Sequence, residues 1–148
     1  MVEKKIDQPI RVISWDDIVK NTKIIAQKIP QTNKRIYIFP IPKNGYVIAG
    51  LLAFYRKDVI LQLAPKQHSG ATILLLDDIH DTGTTLNKFI DASITEVISA
   101  TLYWRKKELI RNIEKDSITI TKPNTPDYWA ETIEDDSWLI FPWEDTPV

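Results

Sequence analysis

The chain has 148 residues, of which 43% are hydrophobic, and this is enough for one domain with a single core over residues 1–148. Its formal net charge of −1 gives no overall field that would attract nucleic acid or an anionic membrane, so any phosphate must be bound locally. The absence of cysteine excludes disulfides and thiolate metal sites. Because we find no apolar signal core and no stretch of membrane-spanning length, we expect a cytoplasmic protein.

Apolar residues recur with helix or strand periodicity in segments along the whole sequence. In chain order, the predicted elements are a helix capped by Ser14 and stopped by Pro30, a strand over 35–39, a helix over 46–55, strands over 59–63 and 73–76, a helix near 84–92, and strands over 96–102, 117–121 and 138–141. Strands that alternate with helices indicate right-handed crossovers. We therefore predict an α/β fold with a mostly parallel sheet flanked by helices.

The most informative segment covers residues 73–86. An apolar run ends in Asp77 and Asp78, and Asp81 and the hydroxyl-rich stretch 82–85 follow before a helix. Carboxylates accept hydrogen bonds from hydroxyl groups or hold hydrated Mg²⁺, and backbone N–H groups at a helix start bind phosphate. The segment thus predicts a site for a phosphorylated sugar. The alternative is an ordinary capped helix with solvated acids, but three aspartates in five positions exceed what one cap needs.

The same segment resembles the sugar-phosphate signature of the phosphoribosyltransferases that use phosphoribosyl pyrophosphate (PRPP). In that family an apolar strand is followed by two acids, two variable residues, Asp-Thr-Gly and small or hydroxyl residues. The resemblance implies that Asp77 and Asp78 hold the ribose hydroxyls, with Asp78 closest to Mg²⁺, and that Asp81 is the general base. It implies that the 5′-phosphate lies in the loop formed by Asp81, Thr82, Gly83, Thr84 and Thr85.

A second short segment, residues 41–45, follows the strand at 35–39 and lies at the same predicted sheet edge. It resembles the family's pyrophosphate loop, with Lys43 at the basic position, Gly45 at the second glycine and Asn44 in place of the first. Because asparagine tolerates left-handed backbone angles, we expect the loop to form. The alternative interpretation is a polar turn between a strand and a helix.

The C-terminal segment, residues 138–144, is similar to one found in the xanthine-guanine phosphoribosyltransferases and their short archaeal relatives. The resemblance implies a small C-terminal base-binding hood in which Trp138 stacks on the purine and the backbone of Leu139 bonds the base edge. We interpret Trp143 as a core residue. The family's donor to the purine 6-oxygen aligns with Arg105, or with Lys106 if the register shifts by one residue; the alternative is a solvated basic face.

Taken together, the resemblance implies purine salvage, in which a 6-oxopurine displaces pyrophosphate from PRPP, in a homo-oligomer that uses Mg²⁺. The family inserts a long mobile hairpin before the motif strand, whereas only the eight residues 64–71 occupy that place. A non-catalytic PRPP- or nucleotide-binding regulator that lost the hairpin therefore stays open as an alternative. An interaction protein that kept only the fold is disfavoured by the intact aspartates. His68 and His80 receive no role.

Overall fold

The computed structural model describes residues 8–31, 35–41, 44–61, 72–80, 97–106 and 125–144. These residues form helices and strands in the alternating order that the sequence predicts. The elements are β1 (Ile10–Val12), α1 (Trp15–Lys28), β2 (Ile36–Pro40), α2 (Gly45–Tyr55), β3 (Val59–Leu61), β4 (Thr72–His80), β5 (Val97–Arg105), β6 (Tyr128–Ile133) and β7 (Trp138–Ile140).

Five of these strands form one parallel sheet in the order β3-β2-β4-β5-β6, and β1 pairs with β7 in a separate parallel pair. The sheet places β4 at its centre, between β2 and β5. Ligands of such sheets bind outside the carboxyl ends of the strands. The predicted α/β fold with a mostly parallel sheet is confirmed.

Helix α1 begins and ends where local signals in the sequence place it. The Ser14 hydroxyl accepts a bond from the Asp17 backbone N–H at 3.1 Å, and the Asp17 carboxylate accepts one from the Ser14 N–H at 3.0 Å. These reciprocal bonds satisfy two donors that the helix start leaves open, and they lower the pKa of Asp17. At the other end the buried Arg56 donates to the carbonyls of Ala26 and Ile29.

The apolar run of β4 is buried on both of its faces. Leu74 and Leu76 belong to the main core together with residues of α1 and α2, whereas Ile73 and Leu75 belong to a second cluster on the opposite side. A strand covered on both faces reads as a continuous apolar run rather than an alternating one, because neither face meets water. The core thus anchors the strand that ends in Asp77 and Asp78.

The structure differs from the prediction in the extent of several strands. β4 continues through both aspartates to His80, and β5 continues to Arg105, because the two strands stay paired as far as His80 and Trp104. β1 and β6 were not predicted. The predicted strand over 117–121 and helix near 84–92 lie outside the described residues, and the single domain over 1–148 stays a prediction. Across the described ranges, no helix has both the length and the apolar character needed to cross a membrane.

Candidate functional site

The two carboxylates of the predicted sugar site lie near the carboxyl end of the central strand β4. Asp78 is almost fully buried, with 4% of its surface exposed, and one of its oxygens, Oδ1, accepts the Ile79 backbone N–H at 2.7 Å. The Asp77 Oδ1 atom accepts the Asp78 backbone N–H at 2.9 Å. Short bonds to the backbone therefore fix how both carboxylates are turned.

The protonation of Asp77 depends on its burial and on the neighbouring Asp78. Burial first, and then the charge of Asp78, raises the pKa of the Asp77 carboxyl to about 9. A ligand that offers hydroxyl donors or a cation would favour the form in which both groups are charged. The pair thus has the chemistry of a site for sugar hydroxyls.

The same carboxylates have the donor chemistry of magnesium ligands. Mg²⁺ is bound in proteins by one or two carboxylates together with water and substrate phosphates, and this donor set fits. Within the described ranges, there is no cluster of three or more residues of the types that ligate metals. Asp77 and Asp78 would supply one or two carboxylate ligands to Mg²⁺, and water or a substrate phosphate would supply the others.

The described residues of the segment 41–45 are hydrogen-bonded to β4 at Leu76, two residues before Asp78. The Ile41 N–H donates to the Leu76 carbonyl at 2.8 Å, and the Gly45 N–H donates to the Ile41 carbonyl at 2.9 Å. At Gly45, a Cβ atom would lie 2.5 Å from the Leu76 carbonyl oxygen. This approach of backbone to backbone requires glycine at the start of α2. The described residues of this segment, Ile41, Asn44 and Gly45, therefore lie beside β4, and Asn44 contacts Asp78.

Asn44 has a different role from the one inferred from its backbone preference. Its φ and ψ angles are −70° and −30°, in the right-handed helical region, so its tolerance of left-handed angles is not used here. Its side-chain amide instead donates to Asp78 Oδ2 at 2.8 Å. The substitution of asparagine for a family glycine was the only sequence signal for this contact. The two predicted segments meet at this hydrogen bond.

The pairing of β7 with β1 determines which groups of the C-terminal segment are available to a ligand. The Trp138 N–H donates to the Pro9 carbonyl at 2.7 Å, and the Ile140 carbonyl accepts the Ile13 N–H at 2.8 Å. Because successive residues of a parallel strand direct their backbone groups to opposite sides, the N–H and C=O of Leu139 point away from β1. The Leu139 side chain is buried, and that of Trp138 is partly exposed.

Arg105 is buried with 6% of its surface exposed, and its guanidinium contacts the turn between β6 and β7. Nη1 donates to the Asp135 carbonyl and Nη2 to the Ser137 carbonyl, each at 2.7 Å. Two of its donors thus hold the turn that precedes Trp138, a role that the sequence did not indicate. A contact of Arg105 with a base stays a prediction. Lys106, the alternative donor, is exposed.

Trp143 packs among aromatic side chains, in agreement with its interpretation as a core residue. Its ring stacks on Phe141 with centroids 5.1 Å apart and meets Trp15 edge-on at 6.0 Å. The remaining predicted site residues lie outside the described ranges. They are Lys43, Asp81, Thr82, Gly83, Thr84 and Thr85.

Comparison with known proteins identifies the fold. No family profile and no curated protein sequence matches the chain. Among solved structures, it is similar to a purine phosphoribosyltransferase from Pyrococcus horikoshii, with a TM-score of 0.69, 19% identity, and 95% of this chain and 97% of the other covered. It is also similar to the xanthine-guanine-hypoxanthine phosphoribosyltransferase of Helicobacter pylori, with a TM-score of 0.64, 14% identity and 93% of each chain covered. A hypothetical protein from Neisseria gonorrhoeae with bound ppGpp gives a TM-score of 0.68 at 18% identity over 96% of this chain and 92% of the other. The chain therefore has the fold of the purine phosphoribosyltransferases over nearly its whole length.

Proposed function

We propose that the protein transfers the phosphoribosyl group of PRPP to a 6-oxopurine base in purine salvage. The observation that carries the proposal is the meeting of the aspartate pair of β4 with the loop before α2, through the bond from Asn44 to Asp78 at 2.8 Å. In a chain with the purine phosphoribosyltransferase fold, these two segments correspond to the ribose and pyrophosphate sites. A phosphorylated sugar would therefore bind at this edge of the sheet.

In the proposed reaction the described carboxylates bind and orient the ribose. Asp77 and Asp78 accept hydrogen bonds from its hydroxyl groups, and the loop that includes Lys43, Asn44 and Gly45 holds the pyrophosphate. When bound at Asp78, Mg²⁺ would neutralise charge on the pyrophosphate as it leaves. Holding the sugar and the base in one orientation is the main catalytic contribution that we assign to these residues.

We assign the remaining steps to residues of the motif that follows β4. The loop from Asp81 to Thr85 holds the 5′-phosphate, and Asp81 accepts the proton from the imidazole ring of the base as the new bond forms. These assignments depend on the sequence motif alone.

We place the base against Trp138. The partly exposed indole offers a flat face for a heteroaromatic ring, and the backbone of Leu139, which points away from β1, can bond the edge of the base. A donor from Arg105 or Lys106 favours a 6-oxo group, since arginine and lysine side chains only donate. This preference supports guanine, hypoxanthine or xanthine over adenine.

A second function is favoured by the short link between β3 and β4. Only the ten residues 62–71 separate Leu61 from Thr72, at the place where the resembling family inserts a long hairpin. A neighbour in fold that carries bound ppGpp is a precedent for nucleotide binding. The alternative is therefore a regulator that binds PRPP or a nucleotide without turnover. If the protein is the enzyme, we propose a homo-oligomer in which a second subunit covers the site.

One experiment separates the two functions. Purified protein is mixed with PRPP, Mg²⁺ and guanine, hypoxanthine or xanthine, and nucleotide and pyrophosphate are measured. The enzyme forms both products in equal amounts, and Asp81→Asn abolishes turnover while the melting temperature stays close to that of the wild type. If no base is consumed while PRPP raises the melting temperature, the protein is a regulator. If PRPP neither reacts nor raises the melting temperature, both functions are wrong.

A further inference from the structure

We propose that Asn44 is a positioning residue that sets the orientation of the Asp78 carboxylate for PRPP, an inference that rests on the proposed function. The contact joins two segments that lie 34 residues apart in the chain. It is made by an asparagine at a position where the resembling loops carry glycine. A glycine has no side chain and cannot make this bond, so the device belongs to this chain rather than to the shared pattern.

The position of Asn44 is fixed by the backbone on both of its sides. Gly45, the next residue, donates to Ile41, which in turn donates to the Leu76 carbonyl in β4. This arrangement holds the start of α2 against β4 two residues before Asp78. The amide therefore reaches the carboxylate from a rigid support, and the bond costs little further ordering.

Asn44 does not serve the helix that it precedes. Asparagine at a helix start commonly accepts a bond from the first turn, but in the described structure the Asn44 side chain makes no such bond. Its contact is directed to Asp78 instead, at 2.8 Å. The Asn44 side chain therefore orients Asp78 and does not cap α2.

The chemistry of the contact suits a carboxylate that must bind a ligand. Asp78 has one oxygen on the Ile79 N–H and the other on the Asn44 amide. Each carboxylate oxygen carries two lone pairs, so one donor on each leaves capacity for a sugar hydroxyl or a cation. A neutral amide also orients the carboxylate and leaves its negative charge in place. A lysine or arginine side chain would neutralise that charge. Asn44 thus prepares Asp78 before PRPP arrives.

The expected consequence is selective for one substrate. Without the amide, the Asp78 carboxylate can turn away from its binding orientation. Part of the binding free energy of PRPP is then used to restore that orientation. We expect Asn44→Ala to raise the KM for PRPP roughly 10- to 100-fold, the range for losing one hydrogen bond to a charged group. The KM for the base should stay within about twofold, because Trp138 and Leu139 lie on the β1–β7 pair rather than on this loop.

The test uses three proteins: the wild type, Asn44→Ala and a matched control, Gly50→Ala. Gly50 lies in the same helix, is exposed, and has nothing within 4 Å of an added Cβ atom. Binding of Mg²⁺-PRPP is measured by calorimetry, and both KM values are measured where turnover occurs. In parallel, urea unfolding of Asn44→Ala, Asp78→Ala and the double variant gives the coupling between the two side chains without any ligand.

The positioning role requires weaker PRPP binding in Asn44→Ala alone, with wild-type binding in Gly50→Ala and non-additive unfolding free energies. If the wild type binds PRPP and Asn44→Ala binds it equally well, the role is overturned while the proposed function stands. The positioning role is also overturned if the losses of unfolding free energy in Asn44→Ala and Asp78→Ala add up to the loss in the double variant. If the wild type binds no PRPP, the proposed function fails and the positioning role falls with it, whatever the coupling in urea.

Discussion

Arg105 at the end of β5 and Ser137 just before β7 are joined by a 2.7 Å bond from the guanidinium to the Ser137 carbonyl. The same guanidinium also donates to the Asp135 carbonyl. Both side chains, Arg105 and Ser137, are buried. The contact fixes the turn that delivers Trp138 to the proposed base site, and it couples the large sheet to the β1–β7 pair. Arg105 therefore supports the proposed base site through the turn before Trp138. This role does not require another N–H of its guanidinium to contact the base.

Replacing Arg105 by alanine should reduce both stability and base binding. Each hydrogen bond to a charged group contributes about 1.5–3 kcal/mol, so losing two should lower the free energy of unfolding by roughly 3–6 kcal/mol. The KM for the base should rise, because the turn before Trp138 loosens. Urea unfolding and steady-state kinetics check both effects.

Lys106→Ala is the matched control, since Lys106 is the exposed neighbour. It should change the free energy of unfolding by less than about 0.5 kcal/mol. Should Lys106→Ala raise the KM for the base while Arg105→Ala leaves it unchanged, the donor is Lys106 and the supporting role of Arg105 is wrong.

Two glycines of α2 should respond in opposite directions to the same substitution. At Gly45 an added Cβ would lie 2.5 Å from the Leu76 carbonyl oxygen, a backbone atom that moves only with β4. Gly45→Ala should therefore destabilise the protein by roughly 1–3 kcal/mol, as overpacking does elsewhere, and weaken PRPP binding. Gly50→Ala meets nothing within 4 Å and should stabilise the helix by about 0.5–1 kcal/mol. Thermal unfolding of both variants measures the two effects. Equal shifts of the melting temperature in the two variants would contradict the close approach at Gly45.

Local signals in the sequence predicted the elements that local chemistry determines. Ser14 and Asp17 begin α1 and Pro30 follows its end, because capping bonds and a missing N–H act within a few residues. The apolar run from Ile73 to Leu76 predicted a strand, and the structure buries this run on both faces, so each side chain matches its own environment. The acids that follow the run indicated the site.

Features that depend on distant residues could not be read in the same way. β4 extends past its apolar run because β5 stays paired with it as far as His80. This extension depends on the neighbouring strand and cannot be inferred from the residues of β4 alone. β6 is partly buried along most of its length, so it lacks the alternation that marks a strand. The bond between Asn44 and Asp78 spans 34 residues, and only the fold brings them together.

The buried Tyr103 should make the protein sensitive to alkali. Burial raises its pKa to about 12, although the Asn21 amide, which donates to the phenol oxygen at 3.0 Å, opposes the shift. Because the folded pKa exceeds the ordinary value of 10.0, the unfolded state loses its proton first as the pH rises. The stability is therefore complete below about pH 10 and falls between about pH 10 and 12, by an amount on the order of 2 kcal/mol.

Urea unfolding at a series of pH values tests this, with Tyr103→Phe as the comparison. The variant should lose about 1 kcal/mol at neutral pH, because Asn21 loses its acceptor. It should also lack the part of the alkaline decline that Tyr103 contributes. Parallel curves for the two proteins above pH 10 would show that Tyr103 does not titrate in this window.

Trp138 and Trp143 should separate base binding from stability. Trp138 is partly exposed on β7, so Trp138→Ala should spare most of the stability. Stacking of an aromatic residue on a base contributes about 1–3 kcal/mol, and its loss should raise the KM for the base roughly 10- to 100-fold with the KM for PRPP unchanged. Trp143 stacks on the buried Phe141 and packs against the main core, so Trp143→Ala should instead cost about 3 kcal/mol of stability. Calorimetric binding of the base and urea unfolding of both variants measure the two effects. If Trp138→Ala binds the base as tightly as the wild type does, the stacking platform lies elsewhere, and the base site must be rebuilt around another face of the fold.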